Sequence, residues 1–387
     1  MFSADIALTR WILSQDNYHV NTKPIEISIE TKKKLDNGFR RLTWARRQSS
    51  QSLLKRFLTK SIFNILKLRQ TSSGVNLYDV AKVGFEHLDS KVGAAAFDPE
   101  CYTVFKPLLH PIICTIHQAT PMVKHPEKQA WNAIDPTGLD PEGKYISKIS
   151  IRVSRSLQHF PFLPKMSRKQ LEACEQEVRS TLKAMHGLTG VYYSLSTIPK
   201  DVEQILTRGD LMFSNNDKFL DSGGAYQHWP IGRGVFVTHM KDTFIWVNES
   251  EHLLIGTVQK GPHLSRAFEK MALLLDTLND HFKWAKDKEK FGHLTMSPAL
   301  IGSGLKIQVY VKLPYLGLEE TFRQDLMDQY GIECVKAKHT LSSDTFVLSN
   351  RRTFGLTESE ILSAVFRCAK EVIAIEDKCK HVHEELK

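Results

Sequence analysis

Gly232-Arg233-Gly234-Val235-Phe236, and shortly after it Thr243-Phe244-Ile245-Trp246-Val247-Asn248-Glu249-Ser250-Glu251-His252-Leu253, decide the fold of this chain. Residues 235–237 and 243–247 read as the two strands of a hairpin, and residues 253–258 as a third strand beside it. Downstream, Leu305, Ile307, Val309 and Val311 alternate with Lys306, Gln308, Tyr310 and Lys312. That period predicts a strand with one apolar and one wet face, as in an antiparallel sheet covered on one side. Ser167 and Gln170 form a capping box ahead of Leu171, Cys174, Val178, Leu182 and Met185, and Gly187 closes that helix. Thr357 and Glu360 cap a last helix built on Ile361, Val365, Cys368 and Val372. Strands joined by short turns, with helices at their flanks, predict the α+β class with an antiparallel sheet.

Upstream the period changes. Leu53, Leu54, Phe57 and Leu58, then Ile62, Phe63, Ile65 and Leu66, sit at helical spacing, and this helical block runs to about Gln118. Pro121, Pro126, Pro136, Gly138 and Pro141 then mark a linker. The expected organisation is a basic extension without clear period over residues 1–45 and a small all-helical domain over 46–125. A linker follows over 126–144, and a larger α+β domain over 145–387.

At 387 residues, with 42% hydrophobic and 25% charged, the chain has the composition of a soluble globular protein of about two domains. No run approaches the ~18 apolar residues of a transmembrane segment, which argues against a membrane protein. Cys101, Cys114, Cys174, Cys334, Cys368 and Cys379 show no C-x-x-C spacing. Reduced thiols in the cytoplasm are expected, with no metal site. His239, His252 and His293 also lack metal-ligand spacing. Much of the net charge of +9 lies in Lys32-Lys33-Lys34, Arg40-Arg41, Arg46-Arg47 and Lys55-Arg56. The plain reading is a solvated extension; the functional one is a handle for an acidic protein partner, a membrane surface or a nucleic acid. Nucleic acid is disfavoured, since no binding motif or aromatic platform accompanies the charge. Leu8, Trp11 and Ile12 could line one face of a mitochondrial presequence, but Asp5 and Asp16 argue against it.

The opening stretch, with its Gly-Arg-Gly and its Asn-Glu-x-x-His, resembles the core signature of the phosphagen (ATP:guanidino) kinases, arginine kinases above all. Trp229-Pro230, Val258-Gln259-Lys260-Gly261, Lys312-Leu313-Pro314 and Ser349-Asn350-Arg351-Arg352 before Gly355-Leu356-Thr357-Glu358 extend the likeness. In the helical block it is carried by Lys55-Arg56-Phe57-Leu58-Thr59-Lys60, Leu88-Asp89-Ser90-Lys91-Val92-Gly93 and Asp98-Pro99-Glu100-Cys101-Tyr102-Thr103-Val104-Phe105. The resemblance covers about residues 48 to 380. It implies a small helical domain, a large antiparallel sheet wrapped by helices, and an active site in the cleft between them. It also implies ATP/ADP with Mg as ligands and transfer of the γ-phosphate to a guanidino compound.

Phosphoryl transfer needs cations around the phosphates, and arginine suits them because its planar fork binds two oxygens at once. The resemblance places arginines at Ser150 and Arg152, and only Arg152 is kept. Leu254 stands for another arginine, Lys306 and Lys336 for two more, and Val237 for a histidine at the base. Arg152, Lys306, Lys336 and Arg233 are therefore the candidate nucleotide-binding residues, with Arg152, Arg233 and Lys306 expected along one cleft. On the acceptor side the resemblance places two glutamates at Ser250 and Leu341 and a cysteine at Ser297, which are the degenerate catalytic positions. The loop Ser90-Lys91-Val92-Gly93-Ala94-Ala95 resembles the substrate loop, keeping Ser90, Val92 and Gly93 but with Lys91 for a glycine and Ala95 for a tyrosine. Glu249 and Glu251 flank Ser250, and a shift of one residue would bring a carboxylate into the cleft. The expectation is a pseudoenzyme of this family with weak affinity for a nucleotide or another anionic small molecule. The alternative is a working ATP:guanidino phosphotransferase of altered substrate or low activity.

Overall fold

The computed structural model describes residues 27–45, 52–127, 131, 139–318, 320–337 and 344–385. The first helix, α1 (Ile29–Ala45), places Leu35, Gly38, Phe39, Leu42 and Ala45 on one buried face. Phe39 stacks on Phe63 with ring centroids 4.2 Å apart. Gly38 lets the helix approach closely, since a Cβ there would lie 2.5 Å from the Phe85 ring. This corrects the first boundary: residues 29–45 belong to the helical core rather than to an extension. The basic residues crowding the outer face hide the short apolar stripe.

The helices α2 (Leu53–Phe57), α3 (Lys60–Leu66), α4 (Leu77–Glu86), α5 (Cys101–Val104) and α6 (Lys106–Ile116) complete this part. Local chemistry sets their starts. Thr59 accepts from the Ile62 amide, and Asn76 with Asp79 makes a capping box ahead of α4.

The sheet begins with β1 (Ile146–Arg155) and continues through β2 (Gly190–Ser194), β3 (Gly234–Thr238), β4 (Thr243–Val247) and β5 (Leu253–Lys260). After a two-stranded ribbon, β6 (Lys286–Asp287) and β7 (Gly292–His293), it is completed by β8 (Leu305–Lys312), β9 (Ile332–Lys336) and β10 (Thr345–Asn350). Eight strands lie in the order β2-β3-β4-β5-β1-β8-β10-β9. Every pairing is antiparallel, so the fold is α+β. The helices are α7 (Arg168–Ala184), α8 (Lys200–Arg208), α9 (Lys218–Gly223), α10 (Leu264–Asn279), α11 (Glu320–Tyr330) and α12 (Glu358–Glu385). Among the described residues no helix is long and apolar enough to cross a membrane.

One face of the sheet carries Ile149, Ile151, Val153, Ile307 and Val309. These share a core with Leu171 and Val178 of α7, Phe268 and Met271 of α10, and Val365 and Cys368 of α12. The predicted alternation of β8 is realised residue by residue, with its odd-numbered members buried and its even-numbered ones partly exposed. The other face is wet only in its middle. Toward β3 and β4, Leu206, Leu211 and Phe213 cover Val235, Val237, Phe244 and Trp246 in a separate apolar cluster.

The helical and sheet parts are sewn together. Phe162, Tyr226, Phe291, Leu294, Met296 and Phe354, all from the second part, lie in the same core as the first helices. Two bonds fix the seam where the cleft opens: Ala96 N donates to Met296 O at 2.8 Å, and Tyr102 OH to Thr295 O at 2.7 Å.

Candidate active-site cleft

The wet strip of the sheet is built by register. Arg152 of β1 and Lys306 of β8 are directly paired, as are Ser150 and Gln308, so their side chains share one face. Arg152 lies over the rings of Trp246 and Phe244, 5.1 and 5.7 Å from their centroids, and its Nε approaches Ser150 Oγ at 3.4 Å. Lys306 is more committed. Its Nζ donates to Asn350 O at 2.6 Å and lies 3.6 Å from Glu333. Burial lowers its pKa, and Glu333 works in the opposite direction.

The structure does not bring the other two candidate cations into this pair. Arg233 is 0% exposed. Its guanidinium donates to the carbonyls of Ile231, Ala225 and Gln227, at 3.0, 2.6 and 3.1 Å, and lies over Trp229. The expectation of Arg152, Arg233 and Lys306 along one cleft therefore fails for Arg233, because its donors hold residues 225–231 together. Lys336 is the exposed end of edge strand β9. Glu333 reaches Lys306, and period two turns Lys336 to the opposite side of the strand.

The side where the resemblance places the acceptor begins at the turn joining β4 and β5. Val247 pairs with Leu253 and Asn248 N donates to His252 O at 3.0 Å, so the strands meet without the one-residue shift. Asn248 has a φ of +57°, and its Nδ2 donates to Leu171 O and Gly232 O at 3.2 and 2.7 Å. Ser250 is half-buried at the tip. Burial raises the pKa of Glu249, while hydrogen bonds from Ser250 and the charge of Arg152 pull it down.

Glu251 is not in the open cleft. It is 1% exposed and accepts from Ser156 Oγ at 2.8 Å, Met296 N at 2.9 Å and Ser297 N at 3.2 Å. Burial pushes its pKa up to about 7 against the pull of these three donors. His252 continues the brace. Its Nδ1 accepts from Leu157 N at 2.9 Å, which makes Nε2 the donor to Pro161 O at 3.0 Å, and burial lowers its pKa to about 4.

Glu251 thus holds the loop carrying Ser297, and that loop is bonded in turn to the helical part through Met296 O and Thr295 O. Across from it lies the loop of Ser90, Val92 and Gly93. Leu54 N donates to Val92 O at 3.0 Å, Gly93 N to Ser90 Oγ at 3.1 Å, and Gly84 N to Gly93 O at 2.9 Å. Gly93 needs to be glycine, with φ +73° and a Cβ position 2.9 Å from Leu54 Cβ. Leu341 lies outside the described residues.

Among the described residues the strip offers an anion two cations, and the turn and loop beside it offer hydroxyls and the carboxyl of Glu249. Arg152 is the side chain best suited to a phosphate oxygen, and Lys306 adds charge already shared with Glu333. Ser250 and Ser297 supply neutral hydroxyls, and Glu249 is the carboxylate that feels the charge of Arg152. The fit to a nucleotide's phosphates is therefore partial. Among the described residues no three His, Cys, Asp or Glu side chains gather as a metal site. The bracing role of Glu251 was not legible in the sequence, because its partners lie 95, 45 and 46 positions away.

Comparison with known proteins bears on this geometry. Residues 173–379 match the C-terminal catalytic domain of the ATP:guanido phosphotransferases, and residues 48–114 match their N-terminal domain. The arginine kinase Lit v 2.0101 of Penaeus vannamei is 34% identical over 348 residues, 89% of this chain and 97% of that protein. The arginine kinase of Limulus polyphemus is 35% identical over 349 residues, with the same coverage. In three dimensions the chain is similar to the duplicated taurocyamine kinase of Schistosoma mansoni with bound transition state analog components. The TM-score is 0.81 at 23% identity, over 92% of this chain and 49% of that one, so this chain spans about half of the duplicated protein. A lombricine kinase aligns with a TM-score of 0.78 at 22% identity, over 86% of this chain and 93% of that one.

Proposed function

We propose, for a chain that belongs to the ATP:guanido phosphotransferase (phosphagen kinase) family, that guanidino phosphorylation is impaired while a weak site for a nucleotide or another anion is kept. One observation carries this reading. The turn and the loop that face the acceptor are fully braced, yet what they present is Ser250 and Ser297, while Glu251 is bound up in the brace. A positioned base is worth about 10²–10⁴ in rate. Such losses do not multiply cleanly, since catalytic groups act as a unit, but their combined effect leaves little acceleration. On the strands, Arg152 and Lys306 retain positive charge where the resemblance places arginines, which supports weak binding of ATP or ADP with Mg. A cytoplasmic location belongs to the same reading and is supported by six free cysteines.

Two measurements on the full chain test it: calorimetric titration with ADP, with and without magnesium, and a coupled assay with ATP and arginine. Weak heats of binding with almost no turnover are expected. Turnover of about 1–100 per second, ordinary for kinases, would overturn the reading. Glu249 favours the second reading, a working ATP:guanidino phosphotransferase with low activity. Its carboxyl stands beside Arg152 with a pKa raised by burial, a fair setting for a general base. If turnover is found, loss of it in Glu249→Gln would assign that role.

A further inference from the structure

Helix α1 has two faces of different character. Its inner face carries Leu35, Phe39 and Leu42 into the helical core. Its outer face has Ile29 near one end and Trp44 near the other, 76% and 61% exposed. Lys33 and Arg40 lie on the line between them at helical spacing, with Lys32, Lys34 and Arg41 to the sides. The fifteen residue steps from Ile29 to Trp44 set the two apolar groups roughly 22 Å apart. Five basic residues against Glu30 and Asp36 leave the helix at +3, a third of the chain's net +9. Glu30 is held by Lys34 at 2.7 Å. Lys60 of α3 lies at the margin of the inner face, its ammonium 5.4 Å from the Phe39 ring centroid.

We propose that this face docks on an anionic lipid bilayer, with Ile29 and Trp44 seated at the headgroup level and the basic residues between them on lipid phosphates. The distribution of groups argues for lipid over an acidic protein. A protein interface concentrates apolar anchors at its centre and places charge at its rim. Here the order is reversed, with charge at the centre and apolar groups at the two ends. That order suits a plane of phosphates, into which a terminal tryptophan inserts as an interfacial anchor.

The test is sedimentation of the full chain with vesicles of phosphatidylcholine alone, or with about one-third phosphatidylserine to supply the negative surface. Binding only to the anionic vesicles, released by half-molar salt, is expected. The double variant Lys33→Glu/Arg40→Glu should lower partitioning more than about tenfold, given the contribution of each basic residue at such a surface. Trp44→Ala should weaken it and remove the blue shift of tryptophan emission on binding. A control reversal at exposed Lys283 and Lys288, on the other part of the chain, should leave binding unchanged. Three results would each overturn the proposal. They are no binding to anionic vesicles, binding that the control reversal weakens as much as the α1 variant does, and α1-dependent capture of polyglutamate without capture of vesicles. The last would assign the face to an acidic protein.

Discussion

Strands β1 and β8, and the turn between β4 and β5, differ in separate ways from the pattern that the resemblance implies. On the strands charge replaces charge: Arg152 is kept, and Lys306 stands where the resemblance puts an arginine. At the turn and the loop opposite, Ser250 and Ser297 carry hydroxyls where the resemblance places ionisable groups. The scaffold of that turn is nonetheless complete, with Asn248 on two carbonyls and Glu251 on three donors. The contrast has a physical cause. Removing a buried hydrogen-bonding partner leaves its mates unsatisfied at about 1–3 kcal/mol each. A half-exposed side chain facing the cleft is usually worth under about 0.5 kcal/mol of stability. Chemistry at such a site can be lost while its framework stays.

The sharpest way to break this contrast is to compare neighbours. Glu251→Ala should cost about 3–5 kcal/mol in urea unfolding, because it orphans two buried amides and a hydroxyl. Ser250→Ala should cost less than about 0.5 kcal/mol. Equal costs would show that the turn is not divided into brace and chemistry.

Acid titration separates the same groups. His252, His117 and His125 have pKa values lowered to about 4 by burial. They contribute stability that is present above about pH 6.5, the unfolded value, and is lost as pH falls through about 4. Glu251, raised to about 7, acts in the opposite sense: its contribution is present below the unfolded value near 4.3 and is lost as pH rises through about 7. Among these four groups the histidines outweigh the carboxyl, so together they should weaken the chain as pH falls from 6.5 toward 4. Glu251→Gln should make that fall steeper by removing the opposing group. A fall of unchanged slope would mean that Glu251 does not hold a proton in the folded state.

These groups also mark what was legible in the sequence. The β8 alternation, the hairpin of β3 and β4, and the capping boxes at Ser167 and Thr357 are local patterns, and each formed where it was read. The two-part α+β architecture followed from them. Helix α1 escaped because its stripe is broken by Gly38 and outnumbered by lysines and arginines. Arg233 misled for another reason. An arginine between glycines looks open to an anion, and only the path of residues 225–231 shows that carbonyls already surround it. Glu251 could be suspected as a carboxylate near Ser250, but its brace depends on contacts remote in sequence.

Arg152 and Ser250 carry the comparison into binding and rate. Arg152→Ala should weaken binding of ADP by about tenfold, the worth of one charged hydrogen bond. Arg152→Lys should fall between, having charge but no fork. On the proposed reading Ser250→Glu should change turnover by less than about tenfold, since Ser297, Lys91 and Ala95 still differ from what the resemblance implies for holding an acceptor. A larger gain would mean that one carboxylate was the main defect.

The smallest effect is expected at Lys336, and it tests the sheet geometry directly. Lys306 and Lys336 both stand where the resemblance places arginines, so sequence alone ranks them together. The register parts them. Lys306 shares a face with Arg152 and reaches Glu333, whereas Lys336, three residues beyond Glu333 on the same strand, is turned to the other side. Lys336→Ala should therefore leave ADP affinity within about twofold, as expected for an exposed charge screened by solvent and salt. A loss matching that of Arg152→Ala would place the anion at the rim of the sheet, by the end of β9, and would move the binding site off the central strands.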